Sequence, residues 1–189
     1  MKNIYFICSL FVLMTICGCS KDDNIDSTIY FVGDSQIANW DTEFYFPNRI
    51  TINLGKDGAS LYYLDKVNNI KPESDVIIEI GTNDLQSDWD ETKVDNFLDM
   101  FISVINSLPG RKKYILEIFP TSNLKKNIVI KLFNKRIKET VGSYKNLVII
   151  EVYDNLEKDG VIKENLSRDG VHLNDYGYIV VTNQVKRII

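Results

Sequence analysis

The stretch Thr28-Ile-Tyr-Phe-Val-Gly-Asp-Ser-Gln36 opens with a run of β-branched and aromatic residues. Such a run is typical of a strand that is buried on both faces of a parallel sheet. Gly33 interrupts the run and allows a sharp turn at the strand end, where open α/β sheets bind their ligands. We therefore expect Ser35 to lie at the carboxyl edge of the sheet with its hydroxyl free. Taken alone, an ordinary Gly-Asp-Ser turn explains the stretch better.

Further strand patterns follow along the chain, and helical patterns alternate with them. The strand candidates are residues 49–54, 75–80, 113–119 and 146–152. Helical spacing of apolar residues covers about 59–69, 94–105, 125–140 and the segment from about 174 to the end. Strands that alternate with helices indicate a parallel sheet with right-handed crossovers and helices on both faces. The expected fold is therefore α/β, a three-layer α/β/α sandwich around a five-stranded parallel sheet.

The overall composition limits the function classes. The chain has 189 residues, of which 44% are hydrophobic and 25% charged, as in a globular domain with a substantial core. The formal net charge is −4 and no long basic run occurs, which argues against nucleic acid as a partner. Without a linker-like stretch or an internal repeat, we interpret residues 28–189 as one domain. The oligomeric state is not predicted by any of these features.

The N-terminal region has a different composition. Lys2 precedes an apolar run from Ile4 to Ile16, which is shorter than the roughly 20 residues that a membrane-spanning helix needs and fits a secretory signal. The sequence Ile16-Cys-Gly-Cys19 resembles a bacterial lipobox, in which a small residue precedes the lipidated cysteine. The resemblance implies a lipoprotein signal peptide over residues 1–18 and a lipid on Cys19. Plain secretion and a buried N-terminal helix are the alternatives.

Cysteine usage agrees with this interpretation. The only cysteines are Cys8, Cys17 and Cys19. The domain therefore has no thiols for a disulfide or for a cysteine-based metal site. Residues 19–27 are mostly polar and acidic, and we interpret them as a tether similar to the export signals of surface lipoproteins. The predicted location is across the inner membrane, with the protein held by its lipid alone at the outer membrane or cell surface.

The single histidine of the chain, His172, follows Asp169 by three residues. A lone histidine is more often a packed or surface residue than a catalyst. Gly170 lies between the two side chains and allows the loop to fold back, so the carboxylate can meet the imidazole. An imidazole oriented by a carboxylate is what a serine nucleophile needs for removal of its proton.

A serine nucleophile also needs hydrogen-bond donors for the oxyanion that forms when it attacks a carbonyl. Backbone amides at glycine-rich strand ends and an amide side chain are the usual sources. Ser35 and Gly58 offer backbone amides at predicted strand ends, and Asn83 offers an amide side chain.

Four short blocks carry a family resemblance. They are Gly33-Asp-Ser-Gln36, Asn53 to Gly58, Gly81-Thr-Asn-Asp84 and Asp169-Gly-Val-His172. In order and approximate spacing they resemble the four blocks of the SGNH hydrolases, also called GDSL esterases and lipases, and the likeness spans residues 28–189. The resemblance implies a flavodoxin-like SGNH hydrolase fold and a serine esterase that works through an acyl-enzyme without a cofactor.

The same resemblance implies roles for particular residues. Ser35, His172 and Asp169 would form a catalytic triad. The Ser35 amide, the Gly58 amide and the Asn83 side chain would form the oxyanion hole.

Three details of the sequence bear on this assignment. The family's oxyanion glycine lies five residues after the asparagine, which selects Gly58 and not Gly55. Gln36 stands where the family name has leucine, at a position for which we expect no chemical role. Ile37 removes the Gly-x-Ser-x-Gly pattern of the standard α/β-hydrolases.

Other candidates for chemistry are weaker. Glu79 and Glu117 lie in strand segments and could form a glycosidase pair, but we expect them at sheet edges or beside a buried polar neighbour. Asp34 and Asp84 are expected to shape turns. A metal site lacks ligands, because the domain contains one histidine and no cysteine.

The substrate is the least determined feature. Trp40 and Trp89 follow Ser35 and Asn83, on loops at the predicted active edge of the sheet. There they either stack on a sugar ring or pack beneath the loops. No long insertion is available to form a lid over a lipid-binding groove. This observation and the predicted export both favour short acyl esters, such as acetyl groups on carbohydrate. The alternatives are a lysophospholipase or thioesterase for longer acyl chains, and a non-catalytic glycan-binding lipoprotein.

Overall fold

A computed structural model describes residues 28–189 of the chain. The predicted signal peptide over residues 1–18, the tether over residues 19–27 and the lipid on Cys19 lie outside these residues and stay predictions. None of the helices that the structure describes has the length and apolarity required to cross a membrane.

Five parallel strands form the central sheet in the order β2-β1-β3-β4-β5. The strands are β1 (Thr28–Gly33), β2 (Ile50–Gly55), β3 (Asp75–Glu79), β4 (Lys112–Leu116) and β5 (Leu147–Ile150). Every residue of β1 is buried, whereas β2 at the edge is partly exposed. The chain passes from β1 outward to β2 and then returns to β3 on the other side. This switch point lies between β1 and β3, where doubly wound sheets place their ligands.

Helices cover both faces of the sheet. They are α1 (Ser35–Ala38), α2 (Thr42–Tyr45), α3 (Glu91–Ser107), α4 (Leu124–Val141), α5 (Tyr153–Leu156) and α6 (Asp175–Val185), with 3-10 helices over Leu61–Lys66 and Glu164–Leu166. Within β3, Ile78 belongs to the core cluster that contains Phe101 of α3, while Ile77 belongs to the cluster that contains Val181 of α6. Alternate residues of one strand thus serve two cores. The three-layer α/β/α prediction with a five-stranded parallel sheet is confirmed.

Two local features differ from the sequence-based expectation. The segment predicted as an ordinary helix over 59–69 is the 3-10 helix Leu61–Lys66. Its buried residues recur every three positions, which matches the three residues per turn of a 3-10 helix. A two-stranded hairpin, β6 (Glu157–Lys158) and β7 (Val161–Ile162), was not predicted because its strands are too short to show a pattern.

Candidate active site

Ser35 follows β1 through a sharp turn that depends on Gly33 and Asp34. A side chain at Gly33 would overlap the carbonyl oxygen of Glu79 on β3, so glycine is needed for the two strands to approach. The Asp34 amide donates to that same carbonyl at 3.2 Å. Asp34 Oδ1 accepts from the Gln36 amide at 2.9 Å and caps α1. Ser35 is therefore the first residue of α1, at the carboxyl edge of the sheet.

His172 joins this nucleophile candidate to Asp169. Its Nε2 lies 3.0 Å from Ser35 Oγ, and its Nδ1 lies 2.7 Å from Asp169 Oδ2. The other oxygen, Asp169 Oδ1, accepts from the amides of Val171 and His172, which folds the loop back within three residues. The hydrogen bonds from the His172 side chain and from these amides hold the pKa of Asp169 well below its usual range. Asp169 is thus an anion that fixes Nδ1 as the donor and leaves Nε2 as the acceptor.

The loops after β2 and β3 approach the same serine. Gly58 has a φ of 67°, in the left-handed region that favours glycine. The Asn83 side chain donates from Nδ2 to the Ala59 carbonyl at 2.8 Å, which orients its amide and uses one of its two N–H groups. Asp84 accepts from the Leu61 amide at 3.1 Å and so ties the two loops together.

These residues open onto one cleft of about 600 Å³. It is lined by Ser35, Asn39, Asp57, Gly58, Asn83, Arg168, Asp169 and His172. The structure thus brings together every residue that the sequence predicted for the triad and for the oxyanion hole. In the described part of the chain, no group of three or more histidine, cysteine, aspartate or glutamate side chains is placed to hold a metal ion.

Sequence patterns did not indicate three of the lining residues, namely Asn39, Asp57 and Arg168. Asn39 donates from Nδ2 to the Ser35 carbonyl at 2.7 Å and to Asp57 Oδ1 at 3.1 Å. Arg168 is exposed and lines the cleft. The only available signal was proximity in sequence, since Asn39 follows Ser35 by one helical turn and Arg168 precedes Asp169 directly.

Beneath the serine lies a pair of buried carboxyl groups, Asp34 and Glu79, both fully shielded from solvent. Asp34 Oδ2 and both Glu79 carboxyl oxygens find no donor among the described residues if both groups are ionised. One shared proton resolves this, because a protonated carboxyl group can donate to the other. Burial raises the pKa of Asp34 to about 6. Burial, and then the negative charge of Asp34, raise the pKa of Glu79 well above its usual range.

Glu79 and Glu117 do not form a glycosidase pair. Glu117 Oε2 accepts from the amides of Val152 and Tyr153 at 2.8 Å, and its Oε1 lies 3.0 Å from Lys138 Nζ. Neither glutamate lines the cleft, and each lies in the interior beside a polar neighbour. Of the two expected settings, the buried polar neighbour is the one observed: Glu79 is the last residue of β3, Glu117 directly follows β4, and both are inner strands.

The two tryptophans pack instead of lining the cleft. Trp40 is 2% exposed, stacks on Tyr178 and donates from Nε1 to Thr182 Oγ1 at 3.2 Å. Trp89 is half-buried and meets Phe97 edge-on at 5.6 Å. Both therefore support the loops from beneath.

The site has the parts that acyl transfer requires. A serine hydroxyl lies within hydrogen-bond reach of an imidazole, whose far nitrogen faces an anion. Backbone and side-chain amides that can stabilise an oxyanion lie in the same cleft. The arrangement suits attack on the carbonyl carbon of an ester.

The chain is similar to part of a longer known protein with a different named activity. The chain is 27% identical over 175 residues to the N-acylneuraminate cytidylyltransferase of Escherichia coli O18:K1:H7 (strain RS218 / NMEC), with 86% of this chain covered. The chain spans only 40% of that protein's length.

Two solved structures show the same fold. A lipase/acylhydrolase from Enterococcus faecalis has a TM-score of 0.69 at 21% identity, over 85% of this chain and 93% of its own. An acetylxylan esterase from Geobacillus stearothermophilus has a TM-score of 0.63 at 14% identity, over the same 85% and 93%.

The family assignment rests on a sequence model. The model of the GDSL-like Lipase/Acylhydrolase family matches residues 29–185, from β1 to the end of α6. The match includes all four blocks and the whole sheet. The chain therefore belongs to the family of GDSL-like lipases and acylhydrolases, and it is an enzyme that hydrolyses ester bonds.

Proposed function

We propose that Ser35 is the nucleophile of this esterase, that His172 is its general base and acid, and that Asp169 orients the imidazole. The observation that carries the proposal is the unbroken chain of two contacts, 2.7 Å and 3.0 Å, from Asp169 through His172 to the Ser35 hydroxyl. Gly58 and Asn83 line the same cleft and supply donors for the oxyanion.

The reaction proceeds in two halves. His172 takes the hydroxyl proton as Ser35 Oγ attacks the carbonyl carbon, and the alcohol leaves with that proton to give an acyl-serine. Water then attacks the acyl-serine while His172 accepts a proton from it. The acid leaves as His172 passes that proton to Ser35 Oγ. In each half the carbonyl oxygen becomes an oxyanion, which the amides of Ser35 and Gly58 and the side chain of Asn83 stabilise.

For the substrate, we propose short acyl esters, such as acetyl groups, on carbohydrate. All eight residues of the described chain that line the cleft are polar, charged or glycine. A long acyl chain would find no aliphatic side chain there to pack against, whereas an acetyl group needs almost none. This polarity is the argument against a lysophospholipase or thioesterase.

A neighbouring groove fits the alcohol part of such an ester. Asn39 lines both the cleft and this groove of about 400 Å³, whose other lining residues are Asp41, Phe44, Tyr45, Asp175, Tyr178 and Ile179. Phe44 is 71% exposed, so its ring is available for contact with a ligand. Aromatic rings beside carboxylate and amide groups suit a sugar ring, which has apolar faces and a rim of hydroxyl groups. The names of two of the similar proteins, an acetylxylan esterase and an N-acylneuraminate enzyme, also concern carbohydrates.

The lipoprotein signal is part of the proposal as well. Attachment of a lipid to Cys19 would hold the enzyme at the outer membrane or cell surface, where acylated glycans are accessible. Incorporation of labelled palmitate into the wild type but not into a Cys19→Ala variant tests this.

The deciding experiment compares the wild type with Ser35→Ala on nitrophenyl esters of increasing acyl length. We expect hydrolysis by the wild type to be fastest with acetate and to be lost in the variant, whose folding is checked by circular dichroism. Equal turnover by both proteins would remove Ser35 as the nucleophile, and no turnover by the folded wild type would favour a glycan-binding role. Faster hydrolysis of long chains would favour the lysophospholipase alternative.

A further inference from the structure

Gln36, the residue next to Ser35, connects the nucleophile to the loop that carries His172. Its side chain is buried, and its Nε2 donates to the Val171 carbonyl at 2.7 Å. Its Oε1 faces the Leu173 amide at a longer 3.4 Å. Val171 and Leu173 are the two neighbours of His172, so one carboxamide spans both sides of the histidine.

We propose that Gln36 is a positioning residue that holds the His172 loop against the segment carrying Ser35. The inference rests on the proposed roles of Ser35 and His172. It gives a role to the one position at which the chain departs from the Gly-Asp-Ser-Leu pattern of its family.

The chemistry of the side chain suits this task. A carboxamide has an acceptor oxygen and a donor nitrogen, which match one N–H and one C=O of the facing backbone. Leucine has a similar size but would leave the Val171 carbonyl and the Leu173 amide without this partner, in a place that is shielded from water. Gln36 is itself anchored, because Tyr178 of α6 donates from its hydroxyl to the Gln36 carbonyl at 2.9 Å.

Several hydrogen bonds within the His172 loop fix its internal shape. Asp169 Oδ1 accepts from the amides of Val171 and His172, and Ser167 Oγ donates to the His172 carbonyl at 2.9 Å. These partners belong to the loop and would move with it, whereas the Ser122 amide donates to the Gly170 carbonyl at 2.6 Å and ties the loop to the segment before α4, away from Ser35. Gln36 lies 135 positions from Val171 and ties the loop to the edge of the sheet. Displacement of a catalytic group by about 1 Å can cost on the order of 100-fold in rate, so this tie matters for the Ser35–His172 distance.

The test compares Gln36→Leu with Thr182→Val, a control that removes another buried polar contact, the acceptor for Trp40 Nε1. Both variants are assayed well below their melting temperatures for kcat and KM on nitrophenyl acetate. The second readout is the rate at which a fluorophosphonate labels Ser35. A purely structural role would lower the melting temperature and leave both readouts unchanged.

We expect Gln36→Leu to lower kcat and the labelling rate roughly tenfold or more, with KM changed less than twofold. Thr182→Val should keep both rates within about twofold of the wild type while losing stability. Wild-type kcat and labelling in Gln36→Leu would overturn the inference. Loss of activity in Ser35→Ala together with wild-type rates in Gln36→Leu would reject the positioning role of Gln36 and leave the proposed function standing. An active Ser35→Ala variant would reject the proposed function itself.

A measurement on the wild type covers the case in which Gln36→Leu does not fold. The chain has three glutamines, so labelling of their side-chain amides with 15N gives three pairs of signals. Gln86→Glu and Gln184→Glu assign two pairs by removal and leave the Gln36 pair. We expect the Gln36 amide hydrogens to exchange with solvent at least about tenfold more slowly than the other two pairs, because they are buried and hydrogen-bonded. Exchange at the rate of the other two pairs would overturn the inference.

Discussion

The Ser35 hydroxyl and the His172 imidazole approach to 3.0 Å although 137 positions separate them in the chain. The first lies after the first strand of the sheet and the second lies before the last helix. Their meeting depends on the sheet order, which places the end of β1 between β2 and β3. The candidate site therefore depends on the whole fold. Substitutions at its different residues should have distinguishable effects on activity and stability.

Replacement of His172 by alanine should abolish most of the activity. Without the imidazole no group accepts the Ser35 proton, and we expect kcat to fall by at least about 1,000-fold. In the wild type, kcat/KM should decrease at acid pH, since a protonated imidazole cannot act as a base. The pKa of Asp169 is held low by its hydrogen bonds, so Asp169 stays ionised over this range. A flat profile of kcat/KM down to pH 4 would contradict the role of His172.

Replacement of Asn83 by alanine tests the oxyanion hole. Asn83 is exposed at the cleft, so its loss should affect the fold little. Loss of one oxyanion donor costs roughly 100- to 1,000-fold in kcat. The matched control is Asn165→Ala, at an exposed asparagine outside the cleft-lining set, which should keep wild-type kcat. Equal kcat in the two variants would show that the Asn83 amide does not serve the transition state.

Much of this architecture was accessible from the sequence, and the reasons are physical. The apolar run of β1 predicts a strand because a parallel strand is buried on both faces, and all six of its residues are buried. The contact between Asp169 and His172 was accessible because their spacing lets one loop supply both groups. The roles of Gln36 and Trp40 were not accessible, because they depend on partners more than 130 positions away, Val171 and Thr182. Local patterns carry no information about such pairings.

The proposed sugar groove predicts a selective loss in Phe44→Ala. Removal of the exposed ring should raise KM for acetylated oligosaccharides roughly fivefold, the scale of one aromatic contact. Hydrolysis of nitrophenyl acetate, which is too small to reach the groove, should be unchanged. Tyr62→Ala is the control, since Tyr62 is 64% exposed and lines neither the cleft nor the groove. An unchanged KM for every sugar ester in Phe44→Ala would rule out this subsite.

The buried carboxyl pair predicts how stability responds to pH. The folded-state pKa of Asp34 is raised from 3.8 to about 6. Between these values the folded protein retains a proton that the unfolded chain has lost, so the free energy of unfolding decreases as the pH rises. The contribution is fully present below about pH 4 and is lost above about pH 6. Asp34→Asn removes this titration, and asparagine can still cap α1.

We therefore expect the stability of Asp34→Asn relative to the wild type to increase between pH 4 and pH 7, by on the order of 2 kcal/mol. Urea unfolding at a series of pH values measures the difference. Asp88→Asn, at an exposed aspartate, serves as the control and should show a much smaller change. The sign is the critical result, because a carboxylate stabilised by a cation would give the opposite slope. A relative stability that stays constant or falls over this range would mean that the pKa of Asp34 is not raised in the folded protein.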